Sequence, residues 1–254
     1  MSRAPTEVAV AEDPARAAAP TVQHGVAEHP SPAPNPEGDK RYPESMATAE
    51  LPDGGPFTER GTGRWSIVPG TTDRVGPDVP VRTYSVEVEE GVALPGGPQG
   101  FAATVHSVLS HPKSWIGSGD HAFQRVANGD ADLRVSLTSQ MTTRKLCGFA
   151  IPYDGSCWRG DLRRVIINTA RWERGAVVFQ GNIVAYQQYL INHEVGHALN
   201  FDHVPCPANG ELAPVMMQQT WGTSNNYLAD IGTDRVAADG KNCLANPWPF
   251  PRSG

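Results

Sequence analysis

The sequence predicts an α+β domain in which the strands come first and the chemistry sits on a late helix. Three observations carry this. Short apolar or alternating runs fill the middle of the chain, each bounded by Gly, Pro or Asn. The 26 glycines and 23 prolines are too many for a mainly helical protein. A segment from about Asn182 to Leu199 has no interior proline and spaces its side chains as a helix does.

In chain order, Arg64–Val68 reads as a short strand. Val81–Glu89 reads as a half-buried one, because Tyr84, Val86 and Val88 alternate with Ser85, Glu87 and Glu89. The glycine- and proline-rich run 94–98 breaks the chain. Phe101, Val105, Val108 and Leu109 then recur at helical spacing until Pro112 stops them. Two more strands follow at Ala122–Val126 and Leu133–Thr138, separated by the turn Asn128-Gly129-Asp130. Val165-Ile166-Ile167 is a continuous apolar run suited to an interior strand. In the late helix, Tyr186, Tyr189 and Leu190 lead into a face that carries His193 and His197.

Residues 1–58 have a different composition and read as a disordered Pro/Ala-rich leader or linker. Ten of the 23 prolines precede Phe57, and Tyr42 is the only aromatic residue before it. Such a stretch has too little apolar area to offset its ordering entropy. Residues 59–254 are then the folded domain. At 39% hydrophobic and 19% charged the chain can bury a core. Its net charge of -6, with no Lys/Arg block, argues against a nucleic-acid partner. No run approaches the roughly 20 apolar residues of a membrane span. No basic region followed by an apolar stretch opens the chain, so a secretory signal is not visible and the compartment read from that alone is the cytoplasm.

The segment His193-Glu194-Val195-Gly196-His197 carries the chemistry. Two histidines four apart project from one face of a helix and can grip one ion. Glu194 is about 100° further round, where it can receive a proton from a zinc-bound water without being a ligand. The third ligand must come from beyond the helix. His203 is six residues after His197, and Asn200 lies where the chain must turn; asparagine is the non-glycine residue that best tolerates a left-handed helix end. Three histidines leave one zinc position open, as in catalytic sites. A less favoured set replaces His203 by Glu211.

The whole pattern, HExxHxxxxxH, resembles the metzincin signature, which has glycine where this chain has Asn200. The resemblance implies a metzincin-like fold: a twisted mixed β-sheet, a backing helix and an active-site helix around a zinc cleft. It implies one Zn2+ per chain, held by His193, His197 and His203, with Glu194 as the catalytic base. It also implies a methionine turn beneath the metal, which Pro214-Val215-Met216 matches through Met216. Some metzincins polarise the carbonyl with a tyrosine two residues after that methionine. Here the position is Gln218, an amide able to donate a hydrogen bond, and Tyr227 is a possible substitute. Residues 64–250 resemble more closely a metzincin-like domain family of actinobacteria, through 65–70, 191–197, 213–220 and 246–249. Members of that family usually lie outside the membrane after an anchor and a proline-rich linker. The stretch between Thr220 and Cys243 is longer here and suits an extra helix at 227–238.

Four cysteines, Cys147, Cys157, Cys206 and Cys243, allow three pairings and include no CxxC. Proximity favours Cys147–Cys157 and Cys206–Cys243, and the family pattern agrees. Two bridges point to an oxidising, extracytoplasmic compartment, against the missing signal. Glu37-Gly38-Asp39 resembles the Gly-Asp of an aspartate latency switch. The function expected is a zinc-dependent metallopeptidase acting on a peptide or protein. The alternatives are a zinc enzyme acting on a small amide or peptide-derived metabolite, and a non-catalytic zinc-containing binding domain.

Overall fold

The alternating run at 81–89 becomes the centre of the sheet. The structure, a computed structural model, describes Tyr42, residues 46–233 and residues 235–252; Glu37-Gly38-Asp39 lies outside them. Strand β2 (Val81–Glu89) is flanked on one side by β4 (Leu133–Thr138), then β6 (Arg164–Asn168), all parallel. An antiparallel β5 (Cys157–Arg159) closes that edge. On its other side β2 pairs with β1 (Trp65–Ile67), antiparallel, and with β3 (Ala122–Arg125), parallel. The result is a mixed six-stranded sheet in an α+β fold. The turn at 128–130 therefore separates two strands that flank β2 rather than pairing with each other.

One face of the sheet is apolar. Tyr84, Val86 and Val88 join Leu133, Val135, Leu137, Val165 and Ile167 beneath helix α1 (Gly97–Leu109) and helix α4 (Ile183–Ala198). Helix α1 presents Phe101, Val105, Val108 and Leu109, the spacing read from the sequence. Each such side chain contributes about 1.5–3 kcal/mol through burial. The other face is polar, as the alternation requires, but it is not solvated: Ser85, Glu87 and Glu89 are all buried. Gly63 N, Ser139 N and Thr142 Oγ1 of helix α2 (Gln140–Cys147) donate to Glu89, while Ser136 Oγ and Arg164 Nη2 donate to Glu87, so the strand is central and covered on both sides.

Helices α2 and α3 (Thr169–Arg174) and strand β5 have no periodic signature in the sequence. Only Gln140 and Thr143 of α2 are buried, so the apolar stripe that marks a helix is missing. The extra helix expected at 227–238 is α5, Asn225–Asp230. It stops early because Gly232, at φ 83, takes the left-handed conformation that ends helices.

The expected boundary at residue 58 falls too late. Residues 46–58 lie against the domain: Ala49 is fully buried, Thr58 O accepts from Gln140 N and Thr169 Oγ1, and Gly55 O accepts from Arg174 Nε. Composition misses this because the segment is held mainly by its backbone carbonyls, with only small side chains such as Ala49 and Pro52 buried. Both expected disulfides are present, Cys147–Cys157 and Cys206–Cys243.

Candidate metal centre

Helix α4 begins with an Asn182 side chain that accepts from Ala185 N, and ends where Leu199 N bonds back to Val195 O and Gly196 O. Asn200 then takes φ 70, the left-handed conformation expected of it. This turn brings His203 back toward the helix. His193, His197 and His203 each present a ring nitrogen, and these atoms all lie within 4.8 Å of one another. The Nε2 atoms of His197 and His203 are 3.0 Å apart. Tetrahedral zinc with bonds of about 2.05 Å would separate its nitrogens by about 3.3 Å.

The ring tautomers are set from behind. His193 Nδ1 lies 2.8 Å from Val215 O and His197 Nδ1 lies 2.9 Å from Phe201 O. A carbonyl only accepts, so each Nδ1 carries the proton and each Nε2 turns a lone pair to the centre. Burial, with His197 and His203 beside it, holds His193 well below its ordinary pKa, so it is neutral, as a ligand must be.

Glu194 is buried, and burial pushes its carboxyl up to about 8. Its Oε2 has no hydrogen-bond partner. Glu194 and the three histidines line an open cleft of about 590 Å³, together with Phe201, Gln218, Trp158 and Trp221. Residues 156–158, running into and along the sheet-edge strand β5, form part of the wall.

The methionine turn lies under the helix. Met217 N bonds to Pro214 O, Val215 O receives His193, and Met217 O receives Tyr189 Oη. Met216 is buried, and a Cβ at Gly196 would come within 2.3 Å of its sulfur and 2.7 Å of Trp115. Gly196 is therefore required by the contact between helix and turn. Gln218 reaches the centre, its Nε2 2.7 Å from His203 Nε2. Tyr227 does not line the cleft; it packs beside Gly222, which places it away from the expected role as a substitute for Gln218. Glu211 is not in the histidine group; its carboxylate pairs with Arg252.

Residues 51–251 match the model of the family described as "Protein of unknown function (DUF3152)". The chain belongs to this family. No match was found among curated proteins or among solved structures.

Within the span matched to the family, the structure adds residues that the motif reading missed. Asn192 Oδ1 accepts from Ser114 Oγ and its Nδ2 donates to Pro247 O, fixing α4 to the C-terminal strand-like run. Gln219 donates to Pro214 O and Asn246 O, and Asn246 donates to Ala213 O and Trp248 O. These buried carboxamides hold the methionine turn, which has no ladder of its own. Asparagine or glutamine adjoining a ligand or turn residue was the available signal, visible in Asn192-His193 and Gln218-Gln219. No helix among the described residues is long and apolar enough to cross a membrane.

Proposed function

We propose that this protein is a zinc-dependent metallopeptidase of metzincin type that hydrolyses peptide bonds with Glu194 as its general base. One observation carries the reading: Glu194, a buried acid with one unpartnered carboxylate oxygen, lines the same cleft as three histidines whose ring nitrogens converge on one point. The donor set fits zinc, being three imidazole nitrogens, two of them with carbonyl-fixed tautomers, and an open cleft with room for a fourth ligand. The mixed sheet with a backing helix and a histidine-bearing helix supports the metzincin assignment.

Bound zinc supplies a Lewis acid that acidifies water and polarises a carbonyl. His193, His197 and His203 would hold it, His193 and His197 through Nε2 because their Nδ1 atoms face carbonyls. The Glu194 carboxylate accepts the proton of the attacking water; the water oxygen bonds to the scissile carbon, and Glu194 delivers the same proton to the departing nitrogen as the C–N bond breaks. Gln218, whose Nε2 lies 2.7 Å from His203 Nε2, would donate to the carbonyl oxygen once that ring nitrogen holds the metal. Strand β5, at the sheet edge and on the cleft wall, offers backbone groups to an extended peptide, which favours a peptide over a small amide. Two disulfides, each contributing about 2–4 kcal/mol where thiols oxidise, favour an extracytoplasmic site of action. Metal analysis of the purified protein, followed by a peptide-library cleavage profile with and without chelator, tests this. Zinc near one per chain with chelator-sensitive cleavage is expected; a zinc-loaded protein that cleaves no peptide contradicts it.

A further inference from the structure

Three segments far apart in the chain meet at Trp221. This residue lines the metal cleft and also a neighbouring cavity of about 220 Å³ walled by Phe149, Ile151 and Tyr153. Cavities of about 150 Å³ with apolar walls hold benzene, so this one has room for a large apolar side chain. The Trp221 indole N–H donates to Asp154 O at 3.2 Å. Gly155 lets the ring approach, since a Cβ there would lie 3.2 Å from its Cζ2.

The other hold on Trp221 comes from the N-terminal segment. Thr48 Oγ1 donates to Trp221 O at 2.7 Å, across 173 residues of sequence. Gly222 makes room for it: its φ is +154, and a Cβ would meet Thr48 Oγ1 at 2.6 Å. The next two residues are anchored by Arg171, a fully buried cation whose guanidinium donates to four backbone carbonyls. These are Ala49 O at 2.6 Å, Glu50 O at 3.0 Å, Asp154 O at 2.9 Å and Gly175 O at 3.2 Å. A buried charge must be fully hydrogen-bonded, so residues 49–50 complete the surroundings of Arg171. Arg171 and Trp221 both bond the same Asp154 carbonyl, which ties the segment to the cleft wall from both sides.

We propose that residues 46–50 are a strap that positions Trp221, so that the N-terminal segment governs how the cleft grips a substrate with a bulky apolar side chain beside the cut bond. Thr48 is a positioning residue: it touches no reacting atom and acts through the wall it fixes. The kinetic consequence rests on the peptidase reading; the structural one does not.

The test uses the full chain with Thr48→Val, which removes the hydroxyl at nearly constant volume, and Thr48→Ser, which restores it. The amides of Trp221 and Gly222 both donate to Gln218 O, so their hydrogen exchange reports this turn. In Thr48→Val they are expected to exchange about tenfold faster, with α4 unchanged and Thr48→Ser like the parent. For a peptide with Phe beside the cut bond, KM rises about two- to tenfold at constant kcat, the net worth of one hydrogen bond. The same peptide with Gly there shows no change. Unaltered exchange at 221 and 222 overturns the proposal, and so does acceleration spread equally through α4. If the parent protein cuts no peptide, the peptidase reading fails and the exchange result decides the strap by itself.

Discussion

Strand β2 and helix α4 both bury glutamates, and they surround them differently. Glu87 Oε2 accepts from Ser136 Oγ at 2.9 Å and Arg164 Nη2 at 2.8 Å. Glu89 accepts from the Gly63 and Ser139 amides, both at 2.7 Å, and from Thr142 Oγ1 at 2.8 Å. Glu194 has one carboxylate oxygen with no partner at all. A buried polar atom left unsatisfied costs about 1–3 kcal/mol. The two sheet glutamates avoid that cost with donors from three elements, while α4 bears it at Glu194, the acid that lines the cleft with the histidine cluster. The difference separates carboxylates that tie the sheet together from one that the fold leaves partly unpartnered beside the histidine cluster.

Substitution breaks or sharpens this contrast. The largest effect on folding is expected at Glu87→Gln, which removes the charge partner of the part-buried Arg164 and should destabilise by about 3 kcal/mol in denaturant titration. Glu194→Gln should do the opposite in metal-stripped protein. Burial raises the Glu194 carboxyl from 4.5 to about 8, so the folded state holds a proton that the unfolded state has lost. Stability from this group is full below about pH 4.5 and falls as pH rises toward 8. The Gln variant should lack that fall, giving a gap on the order of a few kcal/mol at pH 8. Parallel curves for the two proteins would remove the contrast.

Smaller effects are expected around the helix. Gly196→Ala drives a Cβ into Met216 and Trp115, and should cost about 1–3 kcal/mol and lower zinc occupancy as the methionine turn shifts. Asn200→Gly is the smallest. At φ 70 a glycine relieves strain, so thermal stability should change by less than about 1 kcal/mol with the metal retained.

The candidate site was legible to the extent that it is local. His193 and His197 share one helix face with Glu194 about 100° round, and Asn200 supplies a conformation that few other residues tolerate, so spacing alone brings His203 within reach. Strands β2, β4 and β6 were legible because alternation or apolar continuity survives in them. What failed to show depends on partners distant in sequence. Strand β5 is three residues long and exists by pairing with β6. Helix α2 is mostly polar and is held by Asp154, through Gln140 and Arg144. The segment 46–58 looked like a tail because most of its contacts are made by carbonyls, which every residue has, and by a few small side chains such as Thr48 and Ala49. The alternation in β2 gave the right faces and the wrong solvation, since nothing in it shows that Ser136, Ser139 and Arg164 lie opposite Glu87 and Glu89.

The claim that Glu194 is an available base beside a histidine-bound zinc is tested most directly by Glu194→Gln, with zinc content and peptide turnover measured on the same preparation. The account predicts about one zinc per chain in both proteins, and turnover reduced about 10²- to 10⁴-fold in the variant. Full turnover in Glu194→Gln, or a parent protein that binds no zinc, would contradict it.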